Sequence, residues 1–397
     1  MKPLAVNHLT ATSCIGTGLA ATLGALQSER GGLTPCHFEM VELDTYVGEV
    51  RGLEHEPLPS ALAPFESRNN RLAWLGLRQD GFVEAVARSA ARFGPRRVGV
   101  FLGTSTSGML ETEIAYQHRN LQTGALPAEF NYAGSHNCYS VAAFTREALG
   151  LEGPAAVIST ACSSSAKVFG AAQRMMAAGV IDAAVVGGVD SLCLTTLYGF
   201  HSLQLTSRWP CRPFDVVRDG ISIGEAAAFA LLEPVAPAEP QLGIGLFGVG
   251  ESSDAYHLSS PHPQGQGARV AMQRALQSAA IAPAAIDYIN LHGTGTISND
   301  IAESLAVEAV FGRDIACSST KGATGHALGA AGALEAVICA LALQHEFLPG
   351  GLNLQVLDPA CHLRYLAHNC PAIVQYAVSN SFGFGGTNCS LIFGLLD

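Results

Sequence analysis

Three features of the 397-residue chain predict an α/β fold with sheets covered on both faces. Short apolar, β-branched runs alternate with Ala- and Gly-rich stretches of helical spacing. The runs are apolar almost without a break, as strands buried on two faces are. Hydrophobic residues make up 48% and charged residues only 14%, which suits a large core and excludes intrinsic disorder.

The elements follow in order. Arg97 to Leu102 predicts a buried strand running into the turn Gly103-Thr-Ser-Thr-Ser-Gly108. Ala155 to Ser159 predicts a second strand, followed by a helix from Ser163 to Gly179. A third, Ala183 to Val186, is expected to stop at Gly187-Gly188, and Ala226 to Glu233 and Leu242 to Val249 are the next two. Gly267 to Ala279 has amphipathic helical spacing and is stopped by Pro283. Tyr288 to Leu291 is a strand, Ala327 to Gln344 a small-residue helix, and Val374 to Val378 and Ser390 to Phe393 are late strands around a Gly-rich turn. The Pro-rich segment Pro234 to Pro240 reads as a linker, dividing the chain into residues 1–240 and 241–397 of one compact unit. Ser159-Thr-Ala-Cys162 and Ser318-Ser-Thr-Lys321 each open a small-residue helix. Internal similarity leaves a duplicated core and two unrelated halves equally open.

With 22 basic against 33 acidic residues the formal charge is −11, which argues against a bulk nucleic-acid binder. A local basic patch can still receive an acidic partner. The 11 cysteines form no CxxC pair and sit in apolar or small-residue runs, as reduced thiols of a cytosolic protein do. No uninterrupted apolar stretch approaches a membrane span, and the N-terminus reads poorly as a signal peptide.

Four motifs could carry chemistry. Cys162 lies between a strand and a helix, where a helix N-terminus favours a thiolate; a buried structural thiol is the plainer alternative. His292 follows a strand in His-Gly-Thr-Gly-Thr296, where glycines let a ligand approach and two hydroxyls can bind it. Neither GxxxxGK[ST] nor GxGxxG follows, so nucleotide binding is weakly supported. His326 lies in Lys321-Gly-Ala-Thr-Gly-His326, with Glu335 within the next helix as the carboxylate that a buried Lys321 needs. Metal binding by these residues lacks short ligand spacing. The turn Asn380-Ser-Phe-Gly-Phe-Gly-Gly-Thr-Asn388 exposes backbone N–H groups that can stabilise an oxyanion.

One Cys and two His at separate strand ends form a nucleophile with acid/base partners. Together with Arg212-Pro-Phe-Asp215, Arg218-Asp-Gly220, Gly224-Glu225, Ser253-Asp-Ala-Tyr-His257, Ser260-Pro261 and Asn299-Asp300-Ile-Ala-Glu303, they give the chain a resemblance to the elongating β-ketoacyl-acyl-carrier-protein synthases, spanning nearly its whole length. The resemblance implies a thiolase-like fold: a duplicated βαβαβ core in five α-β-α-β-α layers. It implies Cys162 as acyl acceptor, His292 and His326 as the histidines that promote decarboxylation of malonyl-carrier protein, and Lys321 with Glu335 as their buried support. By the same resemblance, the backbone N–H groups of Cys162 and Phe384 form the oxyanion hole. Thr294 and Thr296 hold the phosphopantetheine arm, and Phe382 and Phe384 flank it. Thr106, Ser107 and Gly108 match the turn that limits acyl length, and Arg68 and Arg71 a carrier-docking segment. No metal or soluble redox cofactor is implied. The partners implied are acyl- and malonyl-carrier protein and a second chain, in a homodimer or in a heterodimer with another ketosynthase; nucleic acid and membrane are not among them.

The chain departs from the pattern in Val6 to Gly16, in the short segment Leu205 to Cys211, and in the His-Asn-Cys cluster within Asn131 to Ser140. These departures set ketosynthases of aryl-polyene and polyketide assembly beside the housekeeping fatty-acid role. Two other readings are a non-catalytic chain-length partner and a thiolase acting on coenzyme A esters. The presence of Cys162 argues against the first, and the pair of histidines against the second.

Overall fold

The computed structural model describes residues 1–39, 41–235 and 243–396. Ten strands form its frame: β1 (Leu4–Ser13), β2 (Val98–Gly103), β3 (Ala155–Ile158), β4 (Ala183–Asp190), β5 (Ala226–Pro234), β6 (Ile244–Ser253), β7 (Tyr288–Asn290), β8 (Ala316–Ser318), β9 (Tyr376–Gly383) and β10 (Thr387–Leu395). The helices are α1 (Leu19–Gln27), α2 (Arg68–Leu77), α3 (Phe82–Phe93), α4 (Met109–Gln117), α5 (Ser140–Ala148), α6 (Ser164–Ala177), α7 (Leu194–Ser202), α8 (Gln266–Ala279), α9 (Ile297–Phe311), the single turn α10 (Lys321–Thr324) and α11 (Ala331–His345).

The strand order answers the duplication question. The first half runs β3-β2-β4-β5-β1, with β2 parallel to β3 and β4, and β5 antiparallel to β4 and β1. The second runs β8-β7-β9-β10-β6 with the same pattern of parallel and antiparallel neighbours. The halves join where β1 meets β6, at Leu4 opposite Leu246 and Ala5 opposite Gly245. The boundary expected at residue 240 and most of the Pro-rich linker lie outside the described residues.

Side-chain alternation along each strand builds the layers. Ala184 and Val186 of β4, with Ala228, Ala230 and Leu232 of β5, face the central core shared with α6 and α11. Their neighbours Ala183, Val185, Ala227, Phe229 and Leu231 face the outer helices α2, α3 and α5. In the second half α8 and α9 cover Ile289, Val378 and Ile392. Each fully buried Val, Leu, Ile or Phe contributes about 1.5–3 kcal/mol. Small residues bring the central helices together: a Cβ on Gly332 of α11 would lie 2.8 Å from the Cβ of Ala166 on α6. The run 328–345 is apolar enough by length and composition to cross a bilayer, yet 89% of it is buried as this central helix.

Two boundaries differ from expectation. β4 passes through Gly187-Gly188 to Asp190, because these glycines permit close packing and do not break the strand. A Cβ on Gly187 would sit 2.2 Å from the Ala228 carbonyl oxygen, and one on Gly188 2.5 Å from the Ser165 Cβ. β9 starts at Tyr376 and continues through Asn380 and Ser381, so the Gly-rich turn shrinks to residues 384–386. Asn380 of that strand is paired inside the sheet, with the Ser390 hydroxyl donating to its Oδ1 at 2.8 Å.

Candidate active site

The nucleophile turn joins β3 to α6. Ala161 takes a left-handed backbone (φ 52°), a strained geometry for a residue with a Cβ, and this places Cys162 ahead of the first turn of α6. The loop is locked by small hydroxyls: the Thr160 N–H donates to Ser164 Oγ at 2.9 Å, and the Ser164 hydroxyl donates to the Ala161 carbonyl at 2.5 Å. Cys162 is buried, and burial pushes its thiol up to about 11, against the lowering effect of the Phe384 backbone N–H and the Lys321 charge. The expected thiolate is therefore not the resting form: burial outweighs the donors around the sulfur.

His326 Nε2 lies 3.0 Å from Cys162 Sγ. Its backbone is held on both sides, donating to Ser222 O at 2.7 Å and accepting from Gly224 N at 3.0 Å. His292 stands across from it, ring centroids 5.3 Å apart and nearly perpendicular. Burial first, and the Lys321 charge second, hold both imidazoles well below the usual histidine range, so both are neutral near pH 7. Lys321 forms a buried ion pair with Glu335 and donates to the His292 carbonyl at 2.5 Å. Its Nζ is also 3.4 Å from His292 Nδ1. An ammonium can only donate, so Nδ1 accepts and the proton of His292 resides on Nε2. Burial pushes the Glu335 carboxyl up to about 7, with Lys321 opposing.

The Cys162, His292 and His326 side chains line one cavity of about 50 Å³. Thr294, Thr296, Phe382 and Phe384 line it, with Asp254 and the 259–261 segment. The Thr294 and Thr296 hydroxyls are 3.0 Å apart. Gly383 packs so closely on the nucleophile loop that a Cβ there would lie 3.2 Å from Cys162 N, which puts the Phe384 and Cys162 N–H groups beside the sulfur. Two independent family models, each spanning one half of the chain, match around this geometry. "Beta-ketoacyl synthase, N-terminal domain" covers residues 60–238 and "Beta-ketoacyl synthase, C-terminal domain" covers 246–355. The chain is 30% identical to 3-oxoacyl-[acyl-carrier-protein] synthase 2 of Vibrio cholerae over 99% of both proteins. The chain belongs to the β-ketoacyl synthase family.

Other β-ketoacyl synthases resemble it over different spans. The mitochondrial 3-oxoacyl-[acyl-carrier-protein] synthase of Arabidopsis thaliana is 40% identical over 62% of this chain and 57% of that protein. Among solved structures, the ketosynthase ApeO in complex with its chain length factor ApeC, from Xenorhabdus doucetiae, matches with a TM-score of 0.89 and 38% identity over 99% of this chain and 98% of that one. The ishigamide ketosynthase/chain length factor matches with a TM-score of 0.90 and 26% identity over 100% of both chains. The fold is thus thiolase-like, as the duplicated topology requires, and the synthase is an acyltransferase of the condensing class.

Not every expected site residue reaches the cavity. Thr106, Ser107 and Gly108 are absent from its described lining. The Thr106 hydroxyl donates to Asp190 at 2.7 Å, the Ser107 hydroxyl donates to the Asn137 carbonyl at 3.0 Å, and the Gly108 N–H donates to the Ser135 carbonyl at 3.1 Å. Arg68 is not a free docking cation. Its side chain is only 10% exposed, bidentate on the buried Glu225 at 2.6 and 3.0 Å, and stacked 5.0 Å over Phe38. The segment folds this way because Ser67 caps α2, accepting from Asn70 N at 3.1 Å, which turns the next side chain inward. Arg71, partly exposed, is paired with Glu66.

Sequence reasoning singled out neither Glu303, Asp190 nor Phe200 as site residues. Glu303 accepts the His292 and Gly293 N–H groups, both at 2.8 Å, and so fixes the histidine loop. Phe200 lies 5.6 Å from Phe384, centroid to centroid, and lines the cavity. For Glu303 a signal existed, since it closes the Asn299-to-Glu303 motif; Phe200 had none. Metal spacing also misled: the donor atoms of Cys162, His292 and His326 lie within 4.8 Å of one another despite their separation in sequence. The Lys321 ammonium beside His292 opposes a second cation there.

Proposed function

We propose that the synthase elongates carrier-bound acyl chains by decarboxylative Claisen condensation, with Cys162 as the acyl acceptor. The carrying observation is the 3.0 Å contact between Cys162 Sγ and His326 Nε2, in a cavity that Thr294, Thr296 and Phe384 also line. In the first stage Sγ attacks the acyl thioester carbonyl, and the thiol proton passes by way of His326 to the departing carrier thiolate. The N–H groups of Cys162 and Phe384 receive the developing oxyanion. In the second stage malonyl-carrier protein loses carbon dioxide. The His292 Nε2–H donates to the thioester oxygen on which the enolate charge develops. The enolate carbon then attacks the acyl-Cys162 carbonyl, and the released Cys162 sulfur takes up a proton. Two neutral imidazoles suit both steps, since one must accept a proton and the other donate a hydrogen bond.

The pantetheine arm arrives on the carrier, held by Thr294 and Thr296, and neither a metal nor a redox cofactor takes part. A cytoplasmic location is part of this proposal. So is pairing with a second chain of the family. The match to a ketosynthase solved with its chain length factor favours a secondary-pathway heterodimer over a housekeeping homodimer. The thiolase reading is the weaker one, because among the described residues no second thiol lines the cavity.

Intact-protein mass spectrometry on wild type and Cys162→Ala, incubated with a panel of acyl-carrier thioesters and then malonyl-carrier protein, tests this. The expected result is an acyl adduct on wild type alone, discharged as a product two carbons longer. If no panel member loads, alone or with a copurifying ketosynthase, the chain is a partner subunit and not the catalyst.

A further inference from the structure

Asp190 is the last residue of β4, wholly buried, and none of the chemistry above uses it. Its Oδ1 accepts from the Thr104 hydroxyl at 2.7 Å, the Ser105 N–H at 2.8 Å, the Thr106 N–H at 2.8 Å and the Thr106 hydroxyl at 2.7 Å. Its Oδ2 accepts from the Gly329 N–H at 2.5 Å. The turn after β2 and the turn after His326 therefore end on one carboxylate. Gly329 follows Leu328, whose left-handed backbone (φ 48°) sits in the turn just after His326. Ser105 in turn donates from its hydroxyl to the carbonyl of Ala161, the strained residue before Cys162, at 3.4 Å. We propose that Asp190 is a positioning residue that sets the Cys162–His326 distance: one oxygen anchors the turn after β2, whose Ser105 hydroxyl braces Ala161 beside Cys162, and the other anchors the turn after His326.

The hydrogen-bond chemistry makes the role specific to a carboxylate. Both oxygens face backbone N–H groups, which can only donate, and an ionised carboxylate presents two acceptor oxygens to them. Burial pushes Asp190 up, and the Thr104 and Thr106 hydroxyls and the Ser105 and Thr106 N–H groups pull it back. An asparagine of the same shape would satisfy the Ser105 and Thr106 side with its oxygen and turn its NH2 against the Gly329 N–H. The penalty therefore falls on the histidine turn. The charged and titratable groups acting on Cys162 are Lys321, Asp190, His326 and His292; Asp190 is the anion among them, and it raises the thiol.

The proposal rests on the Cys162–His326 dyad, but its test does not need the condensation reaction. Asp190→Asn is compared with wild type for kcat, for KM of the acyl-carrier donor and for the pH profile of Cys162 alkylation by iodoacetamide. Expected are a kcat lower by about 10- to 100-fold, as for a misplaced catalytic pair, a KM little changed, and an alkylation midpoint moved to lower pH. A merely structural Asp190 would lower the melting temperature and leave kcat of the folded protein where it is, which overturns the proposal. Should Asp190→Asn fail to fold, Thr104→Val removes one donor and leaves the backbone donors in place. Its kcat should fall by about fivefold, the worth of one hydrogen bond, and wild-type kcat there also overturns it. If neither protein condenses any substrate tested, the proposed function fails separately, and the Cys162 alkylation rate of Thr104→Val, which keeps the Asp190 charge, decides on Asp190: a wild-type rate overturns the proposal.

Discussion

The two halves share a strand order but not a chemistry. In the first, the turn after β3 carries a neutral nucleophile, Cys162; in the second, the equivalent turn after β8 carries a cation, Lys321. The turns after the central strands also correspond. After β2 lie Thr104 to Ser107, and after β7 lie His292 to Thr296. Each is held by a buried carboxylate accepting two successive backbone N–H groups: Asp190 takes Ser105 and Thr106, and Glu303 takes His292 and Gly293. One duplicated scaffold thus keeps its device for fixing a turn while the side chains on the turn diverge.

The sharpest test is to remove the two histidines of the second half one at a time. His326→Ala should slow acyl loading of Cys162, and His292→Ala should load yet fail to decarboxylate malonyl-carrier protein. Each loss is about 10²–10⁴-fold in its own step, resolved by adduct mass and carbon dioxide release. Equal loss of both steps in both variants would erase the distinction drawn here. Next in size is the buried ion pair of each half. Arg68→Ala strands Glu225, and Lys321→Ala strands Glu335, each expected to cost about 3–5 kcal/mol in urea unfolding. Retained stability with lost carrier binding in Arg68→Ala would restore the docking role that its burial denies.

A pH effect tests Glu303, one of the two carboxylates that hold the turns. Glu303 is raised from 4.5 to about 7 by burial, against the His292 and Gly293 N–H groups. A raised carboxyl means that the folded state holds a proton the unfolded state has lost. Its contribution is therefore present at low pH and fades as pH climbs from 4.5 toward about 7. Glu303→Gln should flatten the fall in melting temperature across that window; a slope as steep as wild type would contradict it. Smallest of all, Arg71→Ala breaks a partly exposed pair and should change stability by less than about 1 kcal/mol.

Much of this was legible in the chain. Apolar runs located eight of the ten frame strands, because a strand buried on both faces cannot hide its composition. Cys162, His292 and His326 stood out at strand ends, where the backbone turns and side chains can converge. Fine boundaries were harder. Gly187-Gly188 looks the same in sequence whether it breaks a strand or admits a neighbour, and only the Ala228 carbonyl and Ser165 decide.

By itself, then, the sequence determined the class of fold and the family, and it singled out Cys162, His292 and His326 as the residues to examine. Composition, periodicity and motif spacing are local properties, and they survive without coordinates. The tertiary structure decided the protonation of Cys162, the inward turn of Arg68, and the convergence of two loops on Asp190. Each of these depends on what is excluded from water and on which donors face which acceptors. Residues far apart in the chain settle such questions only when the two halves close on one another.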